Sequence, residues 1–244
     1  DEIAYLKPHY YGGIRKYQWG TVPLSMHGVV MKADGETVEV SIGEKEGDPQ
    51  FCVTDLLPHL AAEQNGRKLG EGLKGEELNI IIGSIPYHDE ENEKIKNPAK
   101  LLAMKLLNDR YGITEKDFTR AEIEMVPVYK AVDIGLDRGL IGSYGQDDRV
   151  CAYTALMAEI AAENPEHTTF TILTDKEEIG SVGNTGLHSD YVHHAVEDLA
   201  ESFGADTKTV LRHSICLSSD VNAAYDPTFA SVYENRNSSY VNKG

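Results

Sequence analysis

The sequence is short of cysteine, of positive charge and of long hydrophobic runs, and each shortage excludes a class of protein. Its 244 residues include three cysteines, which cannot all pair with one another and show no Cys-x-x-Cys metal spacing. We expect reduced, mostly buried thiols, which predicts a reducing and therefore cytoplasmic compartment. The 23 Lys and Arg residues against 40 Asp and Glu residues leave a formal net charge of −17, which argues against binding to nucleic acid or to an anionic membrane. No apolar run reaches the roughly 18 residues that a membrane-spanning helix needs.

Two common catalytic and binding motifs are also missing. Neither Ser181 nor the pair Ser218-Ser219 lies in a Gly-x-Ser-x-Gly nucleophile elbow, so serine hydrolase chemistry is not supported. No glycine-rich phosphate-binding loop opens a predicted helix, because Gly12-Gly13 and Gly183-Asn184 lack the required spacing.

The second half of the sequence has the alternation that is typical of α/β proteins. Amphipathic stretches there alternate with β-branched runs. The predicted elements are a helix at 147–162, a strand at 168–174, a helix at 189–203 and a strand at 213–218. This order predicts an α/β fold with a mostly parallel sheet and flanking helices.

The first half is predicted to be rich in β-structure. An Asp34-Gly35 turn joins the apolar runs 24–32 and 37–42, which predicts a hairpin. The other predicted elements are a strand at 78–82, a charged loop at 84–96, a helix from 97 to about 111 and a strand at 121–132. The sequence therefore predicts a β-rich module inserted into an α/β domain.

Acidic residues stand at three element ends of the predicted α/β part. Glu177 and Glu178 follow its first strand, Asp147 opens its first helix, and Asp220 follows its second strand. Ligands of open α/β sheets bind at the carboxyl ends of the strands. In a turn the two adjacent glutamates can diverge, so that one binds a metal ion while the other moves a proton. The pattern predicts a carboxylate-rich metal site.

Each of these residues also has an ordinary structural explanation. Asp147 fits a helix N-cap, and Asp220 fits an Asx turn. A Glu-Glu pair such as Glu177-Glu178 is commonly a solvated surface feature, and a lone histidine in a strand, such as His27, is commonly structural. From the residues alone these alternatives stay open.

The ordered set of motifs resembles one family of metallo-aminopeptidases, typified by aspartyl aminopeptidase and vacuolar aminopeptidase I. The motifs in the second half are Gly145-Gln146-Asp147-Asp148-Arg149, Asp175-Lys176-Glu177-Glu178-Ile179-Gly180-Ser181 and Ser218-Ser219-Asp220-Val221-Asn222-Ala223-Ala224-Tyr225-Asp226-Pro227. Those in the first half, which resemble the bacterial branch, are Pro8-His9-Tyr10-Tyr11-Gly12-Gly13-Ile14-Arg15-Lys16-Tyr17-Gln18-Trp19 and Val22-Pro23-Leu24-Ser25-Met26-His27-Gly28. The resemblance runs along nearly the whole chain.

The resemblance implies a site with two divalent metal ions, zinc in the first place, with cobalt or manganese as alternatives. Asp147 would bridge the two ions, and Asp148 would orient Asp147. Glu178 and Asp220 would each bind one ion, and Glu177 would be the general base that takes a proton from the attacking water.

The resemblance also implies the activity and the assembly. The protein would release N-terminal residues from peptides, as a homo-oligomer in which dimers assemble to a dodecamer. His27 would reach from one subunit into the active site of its neighbour, to bind the substrate or to stabilise the tetrahedral intermediate. Residues 20–133 would form a lid and dimerisation domain, and residues 1–19 and 134–244 would belong to the catalytic domain.

Two features of the family have no counterpart in the sequence: an upstream His-x-Asp motif and a final ligand histidine. We therefore expect an internal segment of a longer protein, with an incomplete active site. The alternative to an enzyme is a non-catalytic scaffold or oligomerisation module of the same fold, which lacks a complete metal site.

Overall fold

The computed structural model describes residues 3–10, 12–89 and 95–243. Tyr11 of the opening motif and positions 90–94 of the predicted charged loop lie outside the described residues. The chain divides into two units, Asp1–Gly142 and Ser143–Gly244. The predicted boundary at 133/134 falls inside a short strand of the first unit, and the assignment of 1–19, 20–133 and 134–244 to domains stays a prediction.

The first unit is built from antiparallel strands. The strands are β1 (Ala4–Leu6), β2 (Leu24–Met31), β3 (Thr37–Ile42), β4 (Cys52–Val53), β5 (Ile80–Gly83), β6 (Ala121–Pro127), β7 (Val132–Ile134) and β8 (Leu140–Gly142). They form sheets in the orders β1-β5-β4, β3-β2-β6 and β7-β8, and every pairing between these strands is antiparallel. The helices are α1 (Ala62–Asn65) and α2 (Pro98–Tyr111), with 3-10 turns at Lys16–Trp19, Leu69–Glu71, Gly75–Glu77 and Glu115–Arg120.

β2 is the central strand of its sheet and supplies much of the core. Its side chains Leu24, Met26 and Val30 are buried, with at most 1% of their surface exposed. Leu24 packs with buried apolar residues of β4, β5 and the loop before β5, and Met26 and Val30 pack with those of β3 and of the segment after α2. The predicted hairpin at 24–42 and the predicted helix to Tyr111 are confirmed, and Gly112 ends the helix in the left-handed conformation that glycine adopts readily.

Gly28, the neighbour of His27, lies on β2 directly against the backbone of β6. Its φ is +151°, and a Cβ atom added there would lie 2.0 Å from the carbonyl oxygen of Glu122. Because alanine must push the two backbones apart, we expect Gly28→Ala to lower the free energy of unfolding by about 1–3 kcal/mol. Urea unfolding of the full-length protein measures the effect. Gly70→Ala is the control, because its Cβ would meet nothing within 4 Å, and equal midpoints for the two variants would contradict the prediction.

The regular elements of the second unit are helices. Its helices are α3 (Gln146–Ala161), α4 (Tyr191–Ser202) and α5 (Thr207–His213), with 3-10 turns at Glu177–Ile179 and Pro227–Val232. The helices predicted at 147–162 and 189–203 are confirmed to within two residues at each end. Among the described residues of the chain, no helix is both long and apolar enough to cross a membrane.

The two strands predicted in this unit are not formed by the described residues. Residues 168–174 form no strand. In the second predicted strand, 213–218, His213 is the last residue of α5 and the residues after it form no strand. Between residues 143 and 243, the only β-pairing is an isolated bridge between Ala224 and Ser239. A strand exists only through hydrogen bonds to a neighbour, and no described segment pairs with either run. The chain contains both helices and strands, as predicted for an α/β fold, but the described residues form no parallel sheet.

Candidate metal centre

The start of α3 and the segment after α5 bring three aspartates together. One carboxylate oxygen each of Asp147, Asp148 and Asp220 lies within 4.8 Å of the other two. The sequence predicts Asp147 and Asp220 as metal ligands and Asp148 only as a residue that orients Asp147. The structure thus joins the two predicted ligands and adds Asp148 to the same group.

An irregular backbone at the start of α3 accounts for the third carboxylate. Consecutive side chains of a regular α-helix point about 100° apart. Asp147 (φ −85°, ψ 108°) and Asp148 (φ −119°, ψ 39°) both depart from helical geometry, and Gly145 before them is left-handed with φ +74°. The sequence signal for this arrangement is the Asp-Asp pair that follows a glycine at a helix start.

No described cationic side chain pairs with this group, in which Asp147 and Asp220 are exposed and Asp148 is half-buried. Oδ1 of Asp148 is buried without a hydrogen-bond partner among the described residues. No described Lys, Arg or His forms a salt bridge with any of the three aspartates. A hydrogen bond with Asp148, followed by burial and by the charges of Asp148, Asp220 and Asp147, raises the pKa of the Cys151 thiol to about 11. A bound cation would supply the missing partner, because a buried polar atom without one is costly.

The chemistry of these donors fits a divalent cation. Three carboxylates suit magnesium, calcium or manganese, whereas protein zinc sites usually include nitrogen or sulfur ligands as well. The three aspartates therefore fit part of a zinc site, with nitrogen ligands to come from elsewhere.

Glu177 and Glu178 lie outside this group. Both are exposed on the 3-10 turn Glu177–Ile179, which begins after the left-handed residue Lys176 and ends at the left-handed Gly180. The structure does not bring Glu178 to the three aspartates. Its role as a ligand and the role of Glu177 as a base stay predictions.

Hydrogen bonds made by Asp175 hold the loop that carries the two glutamates. The backbone N–H of Asp175 donates to the carbonyl oxygen of Thr185 at 3.2 Å, and the Thr185 hydroxyl donates to the Asp175 carboxylate at 3.3 Å. The Lys176 ammonium lies 2.7 Å from the same carboxylate, and this hydrogen bond is the chief reason why the pKa of Asp175 is lowered. These bonds join the two ends of the loop, at Asp175 and Thr185.

His27 lies on β2 in the first unit, among polar side chains. Its Nε2 atom lies 2.9 Å from Oγ of Ser25 and 3.2 Å from Oε1 of Glu44. Its Nδ1 atom lies 3.5 Å from Oγ of Ser41, the residue opposite it on β3. Ser25 and Glu44 are not among the residues predicted from the sequence. For Ser25 the signal was its place two residues before His27, on the same face of the strand.

Comparison with known proteins gives a consistent result along the chain. A family model described as aminopeptidase I zinc metalloprotease (M18) matches residues 1–244. A probable M18 family aminopeptidase 1 of Clostridium acetobutylicum is 48% identical over 248 aligned residues, which cover 100% of this chain and 52% of that protein.

Solved structures agree. The crystal structure of an M18 aminopeptidase from Thermotoga maritima is similar with a TM-score of 0.91 and 45% identity, over 98% of this chain and 53% of that chain. The structure of the Saccharomyces cerevisiae mApe1 dodecamer shares the fold, with a TM-score of 0.69 and 22% identity, over 99% of this chain and 54% of that chain. The chain thus spans about half the length of the relatives that it matches. Together these matches establish that the chain belongs to the M18 family of aminopeptidase I zinc metalloproteases.

Proposed function

We propose that the full-length protein is an aminopeptidase that binds two divalent metal ions and releases N-terminal residues from peptides. The observation that carries this proposal is the group of Asp147, Asp148 and Asp220, with ligand atoms within 4.8 Å and one buried oxygen without a partner. Membership of a family of zinc metalloproteases supports the same activity.

The carboxylates divide the metal binding between them. Asp147 would be the carboxylate shared by the two ions, and Asp220 and Glu178 would each hold one of them. Asp148 would contribute its unpartnered Oδ1 beside Asp147. When bound, divalent ions polarise the scissile carbonyl group and lower the pKa of a water molecule. Zinc is the proposed metal, with cobalt and manganese as alternatives.

Glu177 moves the proton. Its carboxylate takes a proton from the attacking water as the C–O bond forms, which gives the tetrahedral intermediate. It then passes this proton to the leaving amine as the peptide C–N bond breaks. This role requires a carboxylate that is not itself a ligand, and it is supported by the exposure of Glu177 outside the aspartate group. The hydrogen bonds of Asp175 hold the loop that carries this base.

The assembly completes the site. We propose a homo-oligomer in which His27 of one subunit reaches the active site of its neighbour, where it binds the substrate or stabilises the tetrahedral intermediate. Its 29% exposed side chain leaves the imidazole accessible for this role. The dodecamer known for mApe1, which shares the fold, is a precedent for such an assembly.

The proposal extends to the fold of the full-length protein. Residues 20–133 serve as the lid and dimerisation domain, and the segments 168–174 and 213–218 join a mostly parallel sheet with strands from outside this chain. Apolar side chains support this extension: Ile215 and Leu217 are 92% and 89% exposed, and Phe170 is 51% exposed. Such side chains are normally covered in a folded protein.

Metal-dependent cleavage tests the function. We expect the full-length protein to release the chromophore from aspartyl- or leucyl-anilides when zinc, cobalt or manganese is added, and to lose activity when a chelator removes the metal. The two anilides distinguish an acidic from an apolar preference. If no metal supports cleavage of either substrate, the aminopeptidase proposal is wrong and the non-catalytic scaffold takes its place.

A further inference from the structure

We propose that Ser25 and Glu44 are positioning residues that hold the His27 imidazole by Nε2, so that Nδ1 is the atom that His27 offers to the reaction. This inference rests on the proposed function, because it concerns the same catalytic cycle.

The neighbours of Nε2 favour a proton on that nitrogen. A carboxylate is negatively charged and only accepts hydrogen bonds, so Oε1 of Glu44, at an ion-pair distance of 3.2 Å, favours an N–H at Nε2. The Ser25 hydroxyl donates to the carbonyl oxygen of Val126 at 3.3 Å, which leaves its oxygen free to accept from the same N–H at 2.9 Å. Both neighbours therefore favour the same tautomer, and the ring nitrogen that is fixed in this way determines what the other nitrogen can do.

Nδ1 is the less restrained nitrogen. Its contact is Oγ of Ser41 at 3.5 Å, at the long limit for a hydrogen bond. In the neutral ring Nδ1 accepts a hydrogen bond, and in the imidazolium it donates one, as stabilisation of a developing oxyanion requires. Among the described residues, Glu44 is the one acidic residue within ion-pair distance of the ring, so its charge balances the imidazolium.

Ser25 is fixed by the sheet. It is fully buried on β2, with 0% of its surface exposed, and its backbone pairs with Val126 of β6. Gly43 packs against it so closely that a Cβ on Gly43 would lie 2.9 Å from Cα and Cβ of Ser25. The serine side chain is therefore confined beside His27.

Glu44 is fixed by the loop after β3. The Gly43 N–H before it donates to Oδ2 of Asp48 at 3.1 Å, and the pKa of Asp48 is lowered chiefly by this bond. Arg110 of α2 donates to the other oxygen of Asp48 at 3.2 Å. Gln50 donates to the Gly43 carbonyl oxygen at 3.2 Å, which closes the loop from the other side. These bonds hold the backbone next to Glu44, whose 60% exposed side chain lies 3.2 Å from Nε2 of His27.

Two amide substitutions test the ring atom. The side-chain amide of asparagine reaches the position of Nδ1, whereas the longer glutamine reaches that of Nε2. In the full-length protein with saturating metal, we expect His27→Gln to lower kcat about 10²–10³-fold, and His27→Asn to keep at least about tenfold more activity than His27→Gln. If His27→Gln is the more active of the two, the assignment of Nδ1 is overturned.

The positioning role is tested by Glu44→Gln, with Glu46→Gln as the matched control. Both glutamates line the same open cleft of about 550 Å³, but only Glu44 is within ion-pair distance of His27. We expect Glu44→Gln to lower kcat about 10-fold with KM within about twofold, and Glu46→Gln to match the wild type. An unchanged kcat for Glu44→Gln would overturn the inference.

A double-mutant cycle separates positioning from a general structural effect. If Glu44 acts through His27, Glu44→Gln added to His27→Gln lowers kcat no further. A further loss equal to that of the single variant would overturn the inference, and urea unfolding of each variant identifies any loss that comes from misfolding. Absence of metal-dependent cleavage by the wild type is a different outcome, seen before any variant is compared, and it would overturn the proposed function itself and this inference with it.

Discussion

Replacing Glu177 with glutamine is expected to lower the kcat of the full-length protein about 10²–10⁴-fold while its metal content stays unchanged. Glutamine has nearly the same size as glutamate but cannot accept a proton from water at neutral pH. Glu177 is exposed and lies outside the aspartate group, so its replacement leaves the three aspartates unaltered. Steady-state kinetics on an anilide substrate and metal analysis of the same sample give the two readouts.

Two further variants make this result specific. Glu201→Gln replaces an exposed carboxylate of α4 and is expected to leave both readouts at the wild-type level. Glu178→Gln is expected to lower the metal content, since Glu178 is the proposed ligand. If Glu177→Gln loses metal, or if Glu178→Gln keeps its metal and loses turnover instead, the proposed roles of the two neighbours are wrong.

Replacing Asp147 with asparagine is expected to weaken metal binding by more than the roughly 10–100-fold that is typical of residues supporting a ligand. Asp147 supplies one of three carboxylates within 4.8 Å, and asparagine removes its negative charge while keeping its size. Titration with zinc after removal of bound metal measures the affinity. Loss of cleavage at limiting zinc should accompany it.

Thermal unfolding provides a readout of this change that does not depend on activity. Without metal, Asp147→Asn relieves the repulsion among the three carboxylates, so the variant is expected to melt at a higher temperature than the wild type. With added zinc the order should reverse, because only the wild type gains the full stabilisation from binding. Asp198→Asn, which changes an exposed carboxylate of α4, is the control. An unaltered zinc affinity in Asp147→Asn would contradict the assignment of Asp147 as a ligand.

Local patterns in the sequence predicted most helices and the central hairpin correctly. The helix that ends at Gly112, the helix that begins near Asp147 and the turn at Asp34-Gly35 depend on capping residues and short-range periodicity. The strands predicted at 168–174 and 213–218 are not formed by the described residues, because pairing depends on a partner strand elsewhere, which a run of β-branched residues does not identify. The α/β pattern therefore predicted the two helices of this half but not the pairing of the segments between them.

The sequence by itself determined the family, because the acidic motifs and the opening aromatic motif occur in a fixed order along the chain. It also selected Asp147 and Asp220, which the structure brings together. Only the tertiary structure decided that Asp148 joins them and that Ser25 and Glu44 contact His27. These contacts depend on backbone angles at one helix start and on the path of one loop. Side-chain direction follows from such geometry, whereas residue type and spacing along the chain do not fix it.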